Sequence, residues 1–228
     1  MKRVAIIGAG LMGTGLAAVF ARGGFEVRIT DPMPQSLDTA QQRVGQILAS
    51  IGALEDPAAR VRPVAKLAET VADADLIVEA VPEKLELKQR LFVDIEAAAK
   101  PDAIFASNTS VIPINKVMAL VKNKHRALGT HWWNPPYLVP LVEVIQTSDT
   151  DPAIVVRMMD LLTALGKLPV HVKKDVPGFV GNRLQSALWR EAISLVENGV
   201  CDAATVDLVV KNSFGARLAV LGPLENAD

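Results

Sequence analysis

The sequence predicts an α/β fold in which a doubly wound, parallel Rossmann-type sheet is followed by the start of an all-helical domain. Three observations carry this. The glycine-rich turn Gly8-Ala9-Gly10-Leu11-Met12-Gly13 joins a β-rich run to an apolar helical stretch, Asp31 stands eighteen residues past Gly13 at the end of a second apolar run, and apolar runs then alternate with helical stretches as far as Val172. Beyond Pro177-Gly178 the periodicity becomes purely helical.

Taken in order, Lys2 to Ile7 reads as a strand, Leu11 to Ala21 as a helix and Phe25 to Thr30 as the next strand, which together make one βαβ unit. Within it Gly8 permits a tight turn, Gly10 has no Cβ to obstruct a pyrophosphate, and Gly13 lets the helix pack on the strand. Phosphates would sit on the unpaired N–H groups around Leu11, Met12 and Gly13, at the positive end of the helix. Asp31 can accept from both hydroxyls of an adenosine ribose and would repel a 2′-phosphate, which favours NAD over NADP. Arg28, three residues before Asp31, is badly placed to clamp a phosphate. Lys2-Arg3 ahead of an apolar stretch also has the look of a secretory signal, but the glycine spacing and the helix and strand that follow favour the Rossmann-type unit.

Farther along, Leu76–Val81, Ala103–Ala106 and Ala127–His131 read as strands, with helical stretches over Leu85–Ala99 and Ile112–Val121 between them. Leu141–Ile145 and Leu168–Val172 would extend the sheet around a helix from Pro152 to Leu165 that closes at Gly166. Phe179–Asn198 has the spacing of a long amphipathic helix. The expected organisation is a dinucleotide-binding domain over 1–177 and a helical domain over 178–228.

Composition narrows the function classes. Half of the 228 residues are hydrophobic, and 24 basic against 25 acidic residues leave no positive surplus for nucleic acid. No segment approaches the roughly 20 apolar residues of a membrane span. Cys201 is the only cysteine, so no intramolecular disulfide, zinc cluster or redox pair is expected, no metal site is assigned, and the cytoplasm is the natural compartment.

In such a sheet the reacting groups lie past the carboxyl ends of the strands. Glu83, Asn108 with Thr109 and Ser110, His131, and Asn134 all fall there, and some of them could hold a nicotinamide or its ribose. His131 is the natural proton acceptor, since imidazole exchanges its proton near neutral pH. His125 lies in the charged stretch Lys122–Arg126, and His171 lies in an apolar strand with no evident carboxylate nearby.

His131-Trp132-Trp133-Asn134-Pro135-Pro136, followed by Leu141-Val142-Glu143-Val144-Ile145, resembles the catalytic segment of the 3-hydroxyacyl-CoA dehydrogenase family. Glu83 with Lys88, Ser107-Asn108-Thr109-Ser110, and Pro177-Gly178-Phe179 through Asn182-Arg183 match the same family in the same order. The resemblance implies an NAD-dependent dehydrogenase. His131 would take the hydroxyl proton, Glu143 would orient the ring, and Ser110 and Asn182 would hydrogen-bond the substrate oxygen or the surroundings of the histidine. It further implies that Asn134 helps fix this network, that Glu83 and Lys88 contact the nicotinamide-ribose end of NAD with Asn108 in the same cofactor-binding set, and that the helical domain forms a homodimer. Lys88 and Glu83 could alternatively be an exposed charge pair at a helix start.

The stretch Gln35–Leu67 offers only the scattered cations Arg43, Arg60, Arg62 and Lys66. Pro140 also stands where acyl-CoA members commonly have a lysine. Both features resemble the branch acting on small free hydroxy acids, which includes L-gulonate 3-dehydrogenase, carnitine dehydrogenase and the pyridine-carboxylate dehydrogenase of vitamin B6 breakdown. A 3-hydroxyacyl-CoA is the alternative substrate, and a non-catalytic NAD-binding or structural protein is the alternative of another class. Relatives continue for several helices past the position of Asp228, so the helical domain is expected to be incomplete and its exposed apolar faces to favour association.

Overall fold

A computed structural model describes residues 1–53, 57–225 and 227. Two compact units are present, Met1–Val180 and Gly181–Asp228.

The first unit is built on an eight-stranded sheet. Its strands are β1 (Arg3–Ile7), β2 (Glu26–Thr30), β3 (Val61–Pro63), β4 (Leu76–Glu79), β5 (Ile104–Ser107), β6 (Ala127–Trp132), β7 (Leu141–Ile145) and β8 (Leu168–Val172), in the order β3-β2-β1-β4-β5-β6-β7-β8. All neighbours are parallel except β6 and β7. Every residue of β4, β5 and β6 is buried, as expected where helices cover both faces of a parallel sheet.

Helices α1 (Leu11–Arg22), α2 (Pro34–Asp38), α3 (Ala40–Ser50), α4 (Leu67–Val71), α5 (Leu85–Ala98), α6 (Ile114–Val117) and α7 (Pro152–Ala164) flank the sheet. They divide the core in two. Phe20, Leu16, Val44 and Leu162 pack with Ile6, Ile29 and Val144 on one face, while Phe92, Ile95, Val71 and Val117 pack with Ala5, Ile77 and Phe105 on the other. Strand residues alternate between the two clusters as the two-residue period requires.

Several elements differ from the sequence reading. Between Gln35 and Leu67, where no element was expected, the chain forms α2, α3 and β3; β3 is only three residues long and ends on Pro63, too short for a period-two signal. The stretch Ile112–Val121 yields only the single turn α6, because Pro113 cannot continue a helix backwards and Asp175 takes the N–H groups of Ile114 and Asn115 (3.0 and 2.7 Å). Strand β4 stops at Glu79 rather than Val81, since the Val81 N–H turns onto the Glu79 carboxylate (2.8 Å). The sheet is not all parallel: the connection from β6 to β7 contains no helix, so the chain returns antiparallel there.

The second unit contains α8 (Gly181–Glu197), α9 (Ala203–Asn212) and α10 (Phe214–Arg217). Asp202 caps α9 by accepting the Thr205 N–H at 2.7 Å. Leu184, Leu188, Trp189 and Ile193 of α8 are exposed, as are Leu208 and Val209 of α9. No helix among the described residues is long and apolar enough to cross a membrane.

Candidate active site

The glycine turn is built as its spacing implies, and the backbone requires glycine at Gly8 and Gly13 for different reasons. Gly8 has φ +105°, and a Cβ there would lie 2.6 Å from the Ala80 carbonyl oxygen. A Cβ on Gly13 would lie 1.8 Å from the Gly8 oxygen, so only glycine lets α1 approach β1. A Cβ on Gly10 would meet nothing within 4 Å. Gly10 contributes no side-chain cap, and Thr14 N–H, bonded to the Gly10 carbonyl at 3.0 Å, is the first amide to enter the helical ladder. The amides of Leu11, Met12 and Gly13 are thus left to an outside acceptor beside open space, an arrangement that fits a pyrophosphate.

Asp31 follows β2 and holds this turn. Its Oδ2 accepts the Ala9 N–H at 2.7 Å and its Oδ1 accepts the Met33 N–H at 2.8 Å. Each oxygen keeps a lone pair for a ribose hydroxyl. Arg28 is turned away, with its guanidinium on Asp73 (2.7 Å) and the Glu69 carbonyl (2.7 Å).

Past the ends of β4 and β5 lies a buried charge network that the sequence reading saw only in part. Lys88 is fully buried, contrary to the exposed-pair alternative. Its ammonium meets Glu79 Oε1 at 2.6 Å, Glu83 Oε2 at 3.2 Å and the Val81 carbonyl at 3.3 Å, which engages its three donors. Lys88 thereby holds both Glu79 and Glu83 through its ammonium. Glu79, a residue the sequence reading passed over inside an apolar run, also accepts from Ser107 Oγ at 2.6 Å. Glu83 in turn accepts from the Thr109 hydroxyl and from the N–H groups of Ser110 (3.0 Å) and Val111 (3.2 Å). Burial would raise the Glu83 carboxyl, but the Thr109 hydroxyl, the Lys88 ammonium and the Val111 amide outweigh it and hold the group below the usual carboxylate range. Asn108 ties β5 to β6 by accepting the Trp132 N–H at 3.1 Å.

The antiparallel pairing of β6 and β7 sets His131 directly opposite Glu143. His131 Nδ1 and Glu143 Oε2 are 2.7 Å apart, with His131 3 % and Glu143 1 % exposed. A carboxylate can only accept, so a neutral imidazole in this pair carries its proton on Nδ1 and keeps the lone pair on Nε2. The other carboxylate oxygen accepts the Val180 N–H at 2.9 Å. The imidazole is held between Trp133 and Phe179, whose ring centroids lie 5.2 and 5.6 Å away. Phe179 is the non-glycine residue with positive φ (51°) among the described residues, and it follows Gly178 at φ 72°. This sharp reversal delivers both the Phe179 ring and the Val180 amide to the dyad.

Of the remaining predicted residues, Ser110 sits on the exposed loop held by Glu83, and Asn134 is exposed immediately after the Trp pair. Asn182 is the second residue of α8, in the second unit. Phe179, Val180 and Glu79 were not singled out from the sequence. The Pro-Gly pair before Phe179 signals a turn, but nothing in it signals which side chain the turn buries.

Residues 3–176 match the model of the 3-hydroxyacyl-CoA dehydrogenase NAD binding domain, and residues 178–228 match the C-terminal domain of the same family. The chain is 41 % identical over 234 residues to 5-formyl-3-hydroxy-2-methylpyridine 4-carboxylate 5-dehydrogenase of Mesorhizobium japonicum, covering 100 % of this chain and 75 % of that one. It is 37 % identical to L-carnitine dehydrogenase of Streptomyces griseus, covering 98 % of this chain and 68 % of that one. Among solved structures, a 5-formyl-3-hydroxy-2-methylpyridine 4-carboxylic acid 5-dehydrogenase described as an NAD+-dependent dismutase superposes with TM-score 0.89 at 41 % identity, over 99 % of this chain and 74 % of that chain. The 3-hydroxybutyryl-CoA dehydrogenase of Escherichia coli superposes with TM-score 0.82 at 33 % identity, over 88 % of this chain and 44 % of that chain.

Proposed function

The chain belongs to the 3-hydroxyacyl-CoA dehydrogenase family, whose NAD binding domain it matches, and from that premise we propose that it oxidises the hydroxyl-bearing carbon of a small carboxylic acid, or a related aldehyde, with His131 as general base. The observation that carries this reading is the buried His131–Glu143 pair at 2.7 Å. NAD, when bound, supplies the hydride acceptor. Gly8, Gly10 and Gly13, with the amides of Leu11 and Met12, would hold its pyrophosphate, and Asp31 its adenosine ribose. Glu83 would shape the nicotinamide end together with Asn108 and Asn134.

His131 receives the hydroxyl proton on Nε2, the nitrogen that its bond to Glu143 leaves free. The resulting imidazolium faces a carboxylate whose second oxygen is pinned by the Val180 amide, so its charge is balanced without rearrangement. Ser110 and Asn182 are assigned to the substrate oxygen on the strength of the family resemblance. The flanking Trp133 and Phe179 rings hold the imidazole in one orientation.

Two observations support a small acid over a thioester. Among the cations of the Gln35–Leu67 stretch, Lys66 is paired with Glu69 and Arg43 is tied to the glycine turn through the Ala9 carbonyl. The relatives at 41 and 37 % identity are also named for small carboxylic acids. The likeness to 3-hydroxybutyryl-CoA dehydrogenase keeps a 3-hydroxyacyl-CoA as the second reading. The exposed apolar side chains of α8 and α9 support a homodimer formed through the helical unit. Cys201 is a free thiol, which suits a reducing compartment such as the cytoplasm.

The test is NADH formation from a panel of free hydroxy acids (gulonate, carnitine), the pyridine aldehyde and 3-hydroxybutyryl-CoA. Turnover of a free acid or the aldehyde is expected, with His131→Gln lowering it by about 10²–10⁴-fold. Turnover of the thioester alone overturns the substrate class, and undiminished turnover by His131→Gln overturns the base.

A further inference from the structure

Arg43 lies on α3, and its Nη2 donates to the Ala9 carbonyl at 2.7 Å and to the Ser36 carbonyl at 2.6 Å. Asp31 accepts the N–H of that same Ala9 at 2.7 Å. An anionic and a cationic group therefore grip one residue of the glycine turn from its two ends, which bounds their separation at about 9 Å. Arg43 has no carboxylate within ion-pair distance among the described residues, and its Nε is buried without a hydrogen-bond partner. Carbonyls satisfy some of its donors but do not neutralise its charge.

We infer that Arg43 is a specificity-determining residue of the dinucleotide site: it is a phosphate-binding cation already in place at the adenosine end, so exclusion of a 2′-phosphate rests on the Asp31 carboxylate alone. The inference depends on the reading of the glycine turn and Asp31 as the NAD site. A 2′-phosphate near Asp31 meets a like charge and is rejected. With that charge removed, the same phosphate meets a half-buried guanidinium, the group best suited to it by geometry and weak hydration. A phosphate within about 9 Å of the guanidinium, at an effective dielectric of about 20, changes affinity by at least about tenfold.

The experiment is equilibrium binding of NADH and NADPH, read by nicotinamide fluorescence, to the parent chain and to Asp31→Asn, Arg43→Met and the double variant. Asparagine keeps a carbonyl oxygen for the Ala9 N–H. Asp31→Asn is expected to raise the NADPH-to-NADH affinity ratio at least about tenfold, and adding Arg43→Met is expected to remove most of that gain. The inference is overturned if the ratio does not move in Asp31→Asn, or if its rise survives Arg43→Met. Should Asp31→Asn fail to fold, Arg43→Met alone must weaken NADPH at least about threefold more than NADH, and equal weakening counts against it. A parent chain that binds neither cofactor removes the dinucleotide reading itself, a separate failure.

Discussion

Glu143→Gln isolates what the carboxylate opposite His131 does. The substitution keeps size and one carbonyl oxygen, so the Val180 N–H at 2.9 Å and the antiparallel register of β6 and β7 can persist. What disappears is a full negative charge, 2.7 Å from Nδ1 and 1 % exposed. Two unit charges at about 4 Å in an effective dielectric of about 20 interact by about 4 kcal/mol. The glutamine dipole recovers part of this, leaving a loss of about 2–3 kcal/mol when the imidazole becomes charged. Since about 1.4 kcal/mol is tenfold in rate, kcat should fall about 10²-fold. The side-chain amide can also point its NH₂ at Nδ1 and so favour the tautomer that blocks Nε2, which adds to the loss. NADH affinity should stay within about twofold, because the glycine turn and Asp31 are untouched. The assay is initial-rate NADH formation beside direct NADH binding. A kcat within about threefold of the parent would refute the argument that Glu143 stabilises the charged ring.

Other substitutions test separate links. Gly10→Ala should fold normally, because a Cβ there meets nothing within 4 Å, yet bind NADH at least about tenfold more weakly because the methyl occupies the phosphate cradle. Gly13→Ala should instead lower the melting temperature sharply, since its Cβ falls 1.8 Å from the Gly8 oxygen, and calorimetry separates the two. Lys88→Met leaves Glu79 buried without its cation and should destabilise the fold by about 3–5 kcal/mol in urea unfolding. Around Asp75, burial would raise the carboxyl, but the Lys100 ammonium and the amides of Lys2 and Arg3 prevail and hold it well below the usual carboxylate range. A depressed folded-state value stabilises the fold above the ordinary carboxylate range and loses that contribution as pH falls toward the folded value. Unfolding free energy should thus drop by about 1–2 kcal/mol below about pH 4, and Asp75→Asn should flatten that part of the curve.

The parts legible in the sequence were those with a local signature. The glycine turn, Asp31 and strands such as Leu141–Ile145 and Leu168–Val172 follow from spacing and short apolar runs, and the structure places those two strands at the expected residues. The short β3 escaped because three residues ending in proline carry no periodicity. Glu79 escaped for a different reason. A carboxylate inside the run Leu-Ile-Val-Glu-Ala-Val reads as an interruption, and its partners Lys88 and Ser107 lie 9 and 28 residues away, related only by the parallel pairing of β4 with β5 and the crossover through α5. The antiparallel return of β7 was equally unsignalled, although it decides the chemistry: the His131-to-Glu143 spacing became meaningful only through resemblance to known proteins, because a twelve-residue separation does not by itself say that two strands lie face to face.

That return also explains why the dyad needs the segment Pro177–Val180. Antiparallel pairing brings one carboxylate oxygen to the imidazole, but a buried carboxylate with its second oxygen unmet would be costly and free to rotate. Val180, thirty-seven residues along, supplies one donor to that second oxygen, and its amide reaches Glu143 where Gly178 and Phe179 both adopt positive φ. Glycine does this freely and phenylalanine does not, so the conformation of Phe179 has to be sustained by its burial against His131. Phe179→Gly would relieve the backbone while deleting the ring, whereas Phe179→Ala would delete the ring and leave the strained conformation without its compensation. If the Val180 amide is the contribution that matters, Phe179→Gly should keep more of kcat than Phe179→Ala, despite removing more of the side chain. The reverse order, in initial-rate assays of both variants at saturating NAD, would mean that the ring contact with His131 outweighs the amide and that Val180 is incidental.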